Sequence, residues 1–177
     1  HPCPANPKLL MLANNGLGGD HTFDRKGFEF GLALAAMNSL DITIAGPSNN
    51  KNFFNGHLWM LNYPKLNLVF DTPNEELLNL FRQHDIFIHP TMLEAGHPNL
   101  TMLEAMAAGL PVIADWEMSV DLHGCWRAPR DVFEMDRGLK DILNNWDFYK
   151  KQCFETSQKL SWYEQSKEII KIYNQFL

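Results

Sequence analysis

Short apolar runs alternate along the chain with longer segments in which apolar residues recur every three or four positions. Each short run is bounded by Gly, Pro or polar residues, which is typical of a buried strand. The longer segments have the period of amphipathic helices. The predicted strands are 8–14, 41–46, 66–70, 85–90, 110–115 and a weaker one at 124–129. The predicted helices are 25–40, 51–62, 72–84, 99–109, 131–144, 147–160 and 163–176.

This alternation predicts an α/β fold, a three-layer Rossmann-like domain in which helices cover both faces of a parallel sheet of about six strands. Ligands bind such sheets at the carboxyl ends of the strands. The loops that follow the strands therefore form the candidate site. These loops are 14–25, 46–50, 71–74, 90–99 and 115–123.

Local signals fix several helix ends and packing positions. Thr72 is a predicted N-cap with Pro73 in the first turn, and Gly109 is predicted to end the helix before it. His84 is predicted at a helix end and His89 at the end of a buried strand. The aromatic residues near the C-terminus have helical spacing and are interpreted as packing residues. They are Trp146, Phe148, Tyr149, Trp162, Tyr163 and Tyr173.

Composition narrows the class of protein. With 177 residues, 45% of them apolar, the chain is long enough for one globular domain and too apolar for a disordered one. The net charge of -6 argues against a general nucleic-acid binder. Three widely spaced cysteines predict neither a disulfide framework nor a zinc site and fit a reducing, cytoplasmic compartment. No apolar run has the length of a transmembrane helix, and no signal peptide is recognisable.

The loop at 90–104 carries the strongest chemical signal. It follows a strand and precedes a helix, so the backbone N–H groups near Asn99 and Thr101 favour an anion such as phosphate. Glu104, about one turn into the helix, is placed to accept from ribose hydroxyls, and Glu94 to hold a second polyol. An ordinary N-cap at Asn99 with two solvated carboxylates explains the same residues equally well, and the pattern alone leaves both interpretations open.

A basic pair, Arg25 and Lys26, opens the first helix beside a Gly-rich loop, where a cation would neutralise a diphosphate. The alternative is an exposed basic pair without a ligand. The loop has neither the dinucleotide-binding Gly pattern nor a P-loop. His97 is the one histidine in the 90–99 loop and is a candidate ligand contact. No His, Cys and carboxylate spacing predicts a metal site.

The stretch 85–114, DIFIHPTMLEAGHPNLTMLEAMAAGLPVIA, resembles the retaining GT-B glycosyltransferases of family 4. RKGF at 25–28, ITIAGPS at 42–48 and LSWYEQSKEIIKIY at 160–173 resemble other parts of that family in the same order. The resemblance covers residues 8–177 and implies the C-terminal, nucleotide-sugar-binding half of a GT-B fold. Residues 1–7, HPCPANP, then resemble a linker from an N-terminal acceptor domain that this chain lacks, as the start at His1 also suggests.

The resemblance also implies roles for individual residues. Lys26 would bind the donor diphosphate and stabilise the leaving group, and Glu94 would hold donor-sugar hydroxyls; both are implied catalytic residues. The turn at 71–74 would lie beside the base, and Glu104 would accept from the ribose. The implied donor-binding set is Arg25, Gly46, Thr72, Gly96, His97, Pro98, Asn99, Leu100, Thr101 and Glu104.

The implied function is transfer of a hexose from a nucleoside-diphosphate sugar to a glycan or lipid-linked acceptor, with retention of configuration and without a metal or other cofactor. The acceptor would bind mainly to the missing domain, so the isolated chain is expected to bind nucleotide but to be inactive in transfer. The full-length protein is expected in the cytoplasm or peripherally at the membrane surface, without a nucleic-acid partner.

Three departures from the family pattern keep alternatives open. Nine residues separate Glu94 and Glu104 where the family has seven, Asn99 replaces the usual Gly, and His21 stands where an Arg precedes the Lys. Arg25 is a candidate substitute for that Arg. The alternatives are a non-catalytic nucleotide-binding subunit completed by a partner chain, and a nucleotide-sugar epimerase of the same fold.

Overall fold

A sheet of six parallel strands forms the centre of the described part of the computed structural model, which comprises residues 2–13, 24–92, 99–115 and 122–174. The strands are β1 Leu9–Leu12, β2 Ile42–Gly46, β3 Leu66–Phe70, β4 Ile86–His89, β5 Val112–Asp115 and β6 Cys125–Ala128. The helices are α1 Phe28–Asn38, α2 Asn50–Gly56, α3 Asn74–Arg82, α4 Leu100–Ala107, α5 Val132–Asn144, α6 Trp146–Lys159 and α7 Trp162–Tyr173. A 3₁₀-helix, Met60–Asn62, precedes β3.

The strand order is β3-β2-β1-β4-β5-β6, so the chain builds outward from β1 on one side and then returns to add β4 on the other. Leu9 of β1 is paired with Ile42 of β2 and with Ile86 of β4. The chain therefore leads from β1 to β2 on one side of the sheet and from β4 to β5 on the other. In open parallel sheets the crevice at such a reversal is the usual ligand site.

Alternate side chains of the strands pack into two separate cores. On one face Leu9 and Ile86 belong to a buried cluster with Phe28 of α1 and Leu139 of α5. On the other face Leu10, Phe87 and Val112 pack with Met102 of α4 and with Cys153 of α6. Burying one such aliphatic side chain contributes roughly 1.5–3 kcal/mol. The two cores confirm the predicted three-layer α/β architecture.

The predicted helix at 51–62 is interrupted in the structure. Helix α2 ends at Gly56, and His57 leaves the helix with φ −125° and ψ 54°. The His57 ring then folds back on Phe53, with 4.2 Å between ring centroids and 2.8 Å from Nδ1 to the Phe53 carbonyl oxygen. This packing redirects the chain into the separate 3₁₀-helix Met60–Asn62.

The predicted cap at Thr72 is wrong. Helix α3 begins at Asn74, its N-cap position is Pro73, and no side chain caps it. Pro73 is extended, with ψ 147°, which moves Thr72 one residue away from the cap position. Glu75 and Glu76 in the first turn still complement the positive end of the helix. The helix ends with Arg82 and Gln83, so His84 lies beyond it, whereas His89 is buried and Gly109 follows α4 with φ +83°, both as predicted.

Most of the C-terminal aromatic residues were wrongly predicted to be packing residues. Trp146 and Tyr149 are buried, but Phe148, Trp162, Tyr163 and Tyr173 are exposed. Helix α7 buries none of its residues, and Trp162 is 84% exposed. Helical spacing alone does not tell which side of a terminal helix has a neighbour. Of the described helices, none has both the length and the apolar character needed to cross a membrane.

Candidate functional site

A cavity of about 300 Å³ opens at the carboxyl ends of β1, β2 and β3, close to the start of α4. It brings together three residues that the sequence assigned to the site, Gly46, Thr72 and Thr101. Its other walls are mainly apolar or carry small side chains. The complete lining is Leu12, Ala13, Gly46, Pro47, Asp71, Thr72, Leu77 and Thr101.

Gly46 is a glycine because two groups approach its α-carbon closely. A Cβ at this position would collide with the carbonyl oxygen of Ala13 and would lie 2.5 Å from Nδ2 of Asn50. That amide donates to the Ala13 carbonyl over 2.8 Å and so fastens the end of β1 to the start of α2. Asn50 is buried, and the sequence patterns did not single it out. The floor of the cavity is thus built from backbone.

Asp71 forms the edge of the cavity in a backbone conformation that favours glycine, with φ +56°. Its N–H donates to the Gly46 carbonyl over 2.9 Å, and its Oδ1 accepts from the Ser48 N–H over 2.7 Å. Hydrogen bonds from the backbone and the side chain of Ser48 lower the pKa of the Asp71 carboxyl. The carboxylate therefore stays charged beside the cavity and ties the turn after β3 to the turn after β2. The sequence predicts the turn at 71–74 as part of the site but not this conformation, because no pattern marks a non-glycine residue with positive φ.

The Thr72 hydroxyl oxygen is buried, and none of the described groups forms a hydrogen bond with it. A buried hydroxyl without a partner is costly, by roughly 1–3 kcal/mol. Thr72 lines the cavity with other atoms, because its hydroxyl oxygen has no exposed surface.

The start of α4 is organised by Asn99. Its Oδ1 accepts from the Thr101 N–H over 2.9 Å and from the Thr101 hydroxyl over 2.7 Å. Thr101 was expected to offer its hydroxyl to phosphate, but here that hydroxyl donates to Asn99. Leu100 is exposed at the first helical position. Glu104 is exposed one turn further on, and desolvation by the neighbouring protein raises the pKa of its carboxyl.

Lys26 lies in a short turn, 24–27, that is tied to the loop after β4. The Met92 N–H donates to the Arg25 carbonyl over 3.0 Å. Gly27 has φ +73°, and a Cβ there would lie 2.5 Å from the Pro90 carbonyl oxygen. The backbone therefore joins two of the predicted site loops, and the Lys26 side chain is mostly buried where they meet.

Asp24, the first residue of this turn, binds the start of α1. Its carboxylate accepts from the Phe28 and Glu29 N–H groups over 2.9 and 2.8 Å, so the first N–H groups of α1 already have an anionic partner. Of the two helix starts near the site, α4 is therefore the better placed to meet an external anion.

Four predicted site residues, Glu94, Gly96, His97 and Pro98, lie outside the described residues, as does His21. Within the described ranges, no three His, Cys, Asp or Glu side chains form a cluster that could hold a metal ion. The expectation of metal-independent chemistry stays a prediction.

Comparison with protein families matches residues 24–152 to the family described as Glycosyl transferases group 1. The matched segment is more than half of the chain and includes every strand after β1. A comparison with curated protein sequences gave no significant match.

Several solved structures share the fold. WaaG, a glycosyltransferase involved in lipopolysaccharide biosynthesis, is 18% identical with a TM-score of 0.66 over 96% of this chain. The catalytic domain of Starch Synthase IV from Arabidopsis thaliana, bound to ADP and acarbose, is 13% identical, with a TM-score of 0.63 over 96% of this chain. An E. coli structure described as trehalose-6-phosphate bound with UDP-2-fluoro glucose is 13% identical, with a TM-score of 0.69 over 93% of this chain. The chain spans only 48%, 38% and 43% of these three structures.

Proposed function

Because the chain belongs to the glycosyl transferases group 1 family and has the Rossmann-like fold of GT-B glycosyltransferases, we propose that it is the nucleotide-sugar-binding domain of a retaining glycosyltransferase. Glycosyl transfer is the reaction of the family. The donor, the stereochemistry and the residue roles are our proposals. The observation that carries the site is a cavity lined by Gly46, Thr72 and Thr101 at the carboxyl ends of the strands.

The nucleoside would occupy this cavity. Its apolar lining suits a base. Two of the similar structures are described with ADP or UDP-2-fluoro glucose bound. In this proposal Glu104 accepts from the ribose hydroxyls. Partial desolvation of its carboxyl strengthens such a hydrogen bond.

The diphosphate would lie between the start of α4 and the Lys26 turn. The backbone N–H groups at the start of a helix and a lysine are both good partners for phosphate oxygens. As the sugar leaves, negative charge grows on the diphosphate, and Lys26, with Arg25 nearby in sequence, would stabilise it. The leaving diphosphate would take the proton of the attacking acceptor hydroxyl on the same face of the sugar. Glu94 would hold the donor hexose.

The acceptor would bind outside this chain. The chain spans less than half of the similar structures, and α7 exposes an apolar surface around Trp162, Ile170 and Tyr173. We propose that a second domain completes the enzyme and binds a glycan or lipid-linked acceptor, with residues 1–7 as the linker. The chain alone would then bind nucleotide without efficient transfer, and we propose a cytoplasmic or membrane-surface location for the whole protein and no cofactor.

The test is a calorimetric titration of the chain with UDP, GDP and ADP. We expect one of these nucleotides to bind, and we expect Lys26→Ala and Glu104→Ala each to weaken binding about tenfold or more, as for a lost charge-assisted contact. Lys171→Ala and Glu168→Ala are matched controls, because this pair lies on the exposed surface of α7.

The two site variants report on different parts of the ligand. Lys26→Ala should weaken the binding of diphosphates more than that of nucleosides. Glu104→Ala should weaken the binding of both, because Glu104 would contact the ribose. Binding that survives both substitutions would refute the proposed site. Efficient sugar transfer by this chain alone would refute the proposal that a second domain is required.

A further inference from the structure

Arg130 reaches the Lys26 turn from a distant part of the chain. It lies between the end of β6 at Ala128 and the start of α5 at Val132. Its Nη2 donates to the Asp24 carbonyl over 2.5 Å, across 106 positions of sequence. Its guanidinium also lies 4.9 Å above the centre of the Phe30 ring, on α1. The guanidinium is thus held by a hydrogen bond at Nη2 and by a cation–π contact with Phe30.

The base of Arg130 is fixed as well. The neighbouring Asp131 caps α5 by accepting from the Phe133 and Glu134 N–H groups over 2.9 and 3.0 Å. The backbone of Arg130 is therefore attached to a capped helix start.

Arg130 contacts the turn at both ends. It binds the Asp24 carbonyl at the first residue, and a Cβ on Gly27, the last residue, would lie 3.0 Å from its Nη2. Lys26 lies between these two contacts and is only 7% exposed.

The hydrogen bonds of Arg130 to the described residues do not satisfy all of its buried donors, whereas a purely structural role would favour that all are satisfied. Its Nε is buried, and none of the described groups accepts from it. An unsatisfied buried N–H is destabilising, which offsets part of the gain from the carbonyl and ring contacts. The position of a second fixed cation beside Lys26 has a simpler explanation in a site that binds an anion.

We propose that Arg130 is a positioning residue that holds Lys26 for the donor diphosphate. This inference rests on the proposed function, since it assigns the diphosphate to the Lys26 turn. Arg130 fixes the backbone on which Lys26 stands through its hydrogen bond to the Asp24 carbonyl. Neither its place in the sequence nor its spacing from Lys26 indicated this role.

The test compares Arg130→Ala with the unaltered chain for the preferred nucleoside diphosphate and for the corresponding nucleoside. We expect about tenfold weaker binding of the diphosphate, with the nucleoside changed less than about twofold. In a Lys26→Ala background the Arg130→Ala substitution should have little further effect, because it acts through Lys26.

Arg137→Ala is the matched control, since Arg137 forms an exposed ion pair with Glu134 on α5. Circular dichroism and thermal melting check that each variant is folded at the titration temperature. If Arg130→Ala does not fold, Arg130→Met removes the donor to the Asp24 carbonyl while keeping an extended side chain, and the same selective loss is expected.

An equal loss for nucleoside and diphosphate, or an effect fully additive with Lys26→Ala, would overturn the positioning role while leaving the proposed function intact. Absence of any nucleotide binding by the unaltered chain would overturn the proposed function, and this inference with it.

Discussion

At the scale of single residues, Gly27 shows how the absence of a side chain lets two loops meet. Its φ of +73° lies in the left-handed region, and its α-carbon faces the carbonyl of Pro90. A side chain would be opposed both by the backbone conformation and by this contact. The loop after β4 can approach the Lys26 turn only because this residue is a glycine.

Gly27→Ala should therefore destabilise the protein by about 2–3 kcal/mol, the sum of left-handed strain and a displaced contact. Nucleotide binding should weaken along with it, because Lys26 moves with the turn. Urea unfolding measures the first effect and calorimetry the second. Gly56→Ala is the control, since a Cβ there meets nothing within 4 Å, and it should change stability by less than about 1 kcal/mol. Equal effects of the two substitutions would contradict the account.

At the scale of helices and loops, two helix starts share the same capping chemistry but lie at different distances from the site. Asn99 caps α4 through the Thr101 N–H, and Asp131 caps α5 through two N–H groups. Only α4 starts beside the proposed diphosphate position. Comparing variants of these two caps therefore distinguishes an effect on helix stability from an effect on ligand binding.

Asn99→Ala and Asp131→Ala should each lower the unfolding free energy by about 0.5–2 kcal/mol, because both remove a cap. Asn99→Ala should also change nucleotide affinity, since it releases the Thr101 hydroxyl and N–H at the cavity wall. Denaturant titrations and calorimetry on both variants give the comparison. An unchanged affinity in Asn99→Ala would show that the start of α4 does not meet the ligand.

At the scale of the whole molecule, stability should depend on the protonation of His84. Its Nδ1 lies 2.6 Å from the Leu80 carbonyl and its Nε2 lies 2.8 Å from the Thr43 hydroxyl, which links the region after α3 to β2. Burial, with a smaller contribution from Lys8, lowers the pKa of His84, against the opposing effects of the Leu80 carbonyl and of Asp85. The folded state thus favours the neutral ring.

Because the unfolded chain binds this proton more readily than the folded one, stability is greatest above the unfolded pKa of about 6.5 and falls as the pH drops below it. Unfolding free energies at about pH 7.5 and about pH 5.5 should differ more in the unaltered protein than in His84→Gln, by up to about 1 kcal/mol. Identical pH dependence in the two proteins would show that His84 is not responsible.

The fold could be predicted from the sequence because each strand is a short apolar run whose alternate residues enter different cores, as Leu9 and Leu10 do. Of the predicted site residues, Gly46 and Thr101 lie on one cavity, and their roles in binding stay predictions. The contact of Arg130 could not be predicted, because its acceptor is a carbonyl 106 residues away that any residue would offer. The turn at 71–74 could be predicted but the positive φ of Asp71 could not, because it accompanies hydrogen bonds to the turn after β2.

The place of β1 in the middle of the sheet also governs how this segment emerges during synthesis. Leu9 pairs with Ile42 soon after translation, but its second neighbour, Ile86, is made much later. At usual translation rates the delay between Ile42 and Ile86 is roughly 2–9 s. During that time one side of β1 exposes unpaired backbone groups to other nascent chains and to chaperones. The strand that becomes the most protected in the finished sheet is therefore among those longest at risk of aggregation while the chain is being made.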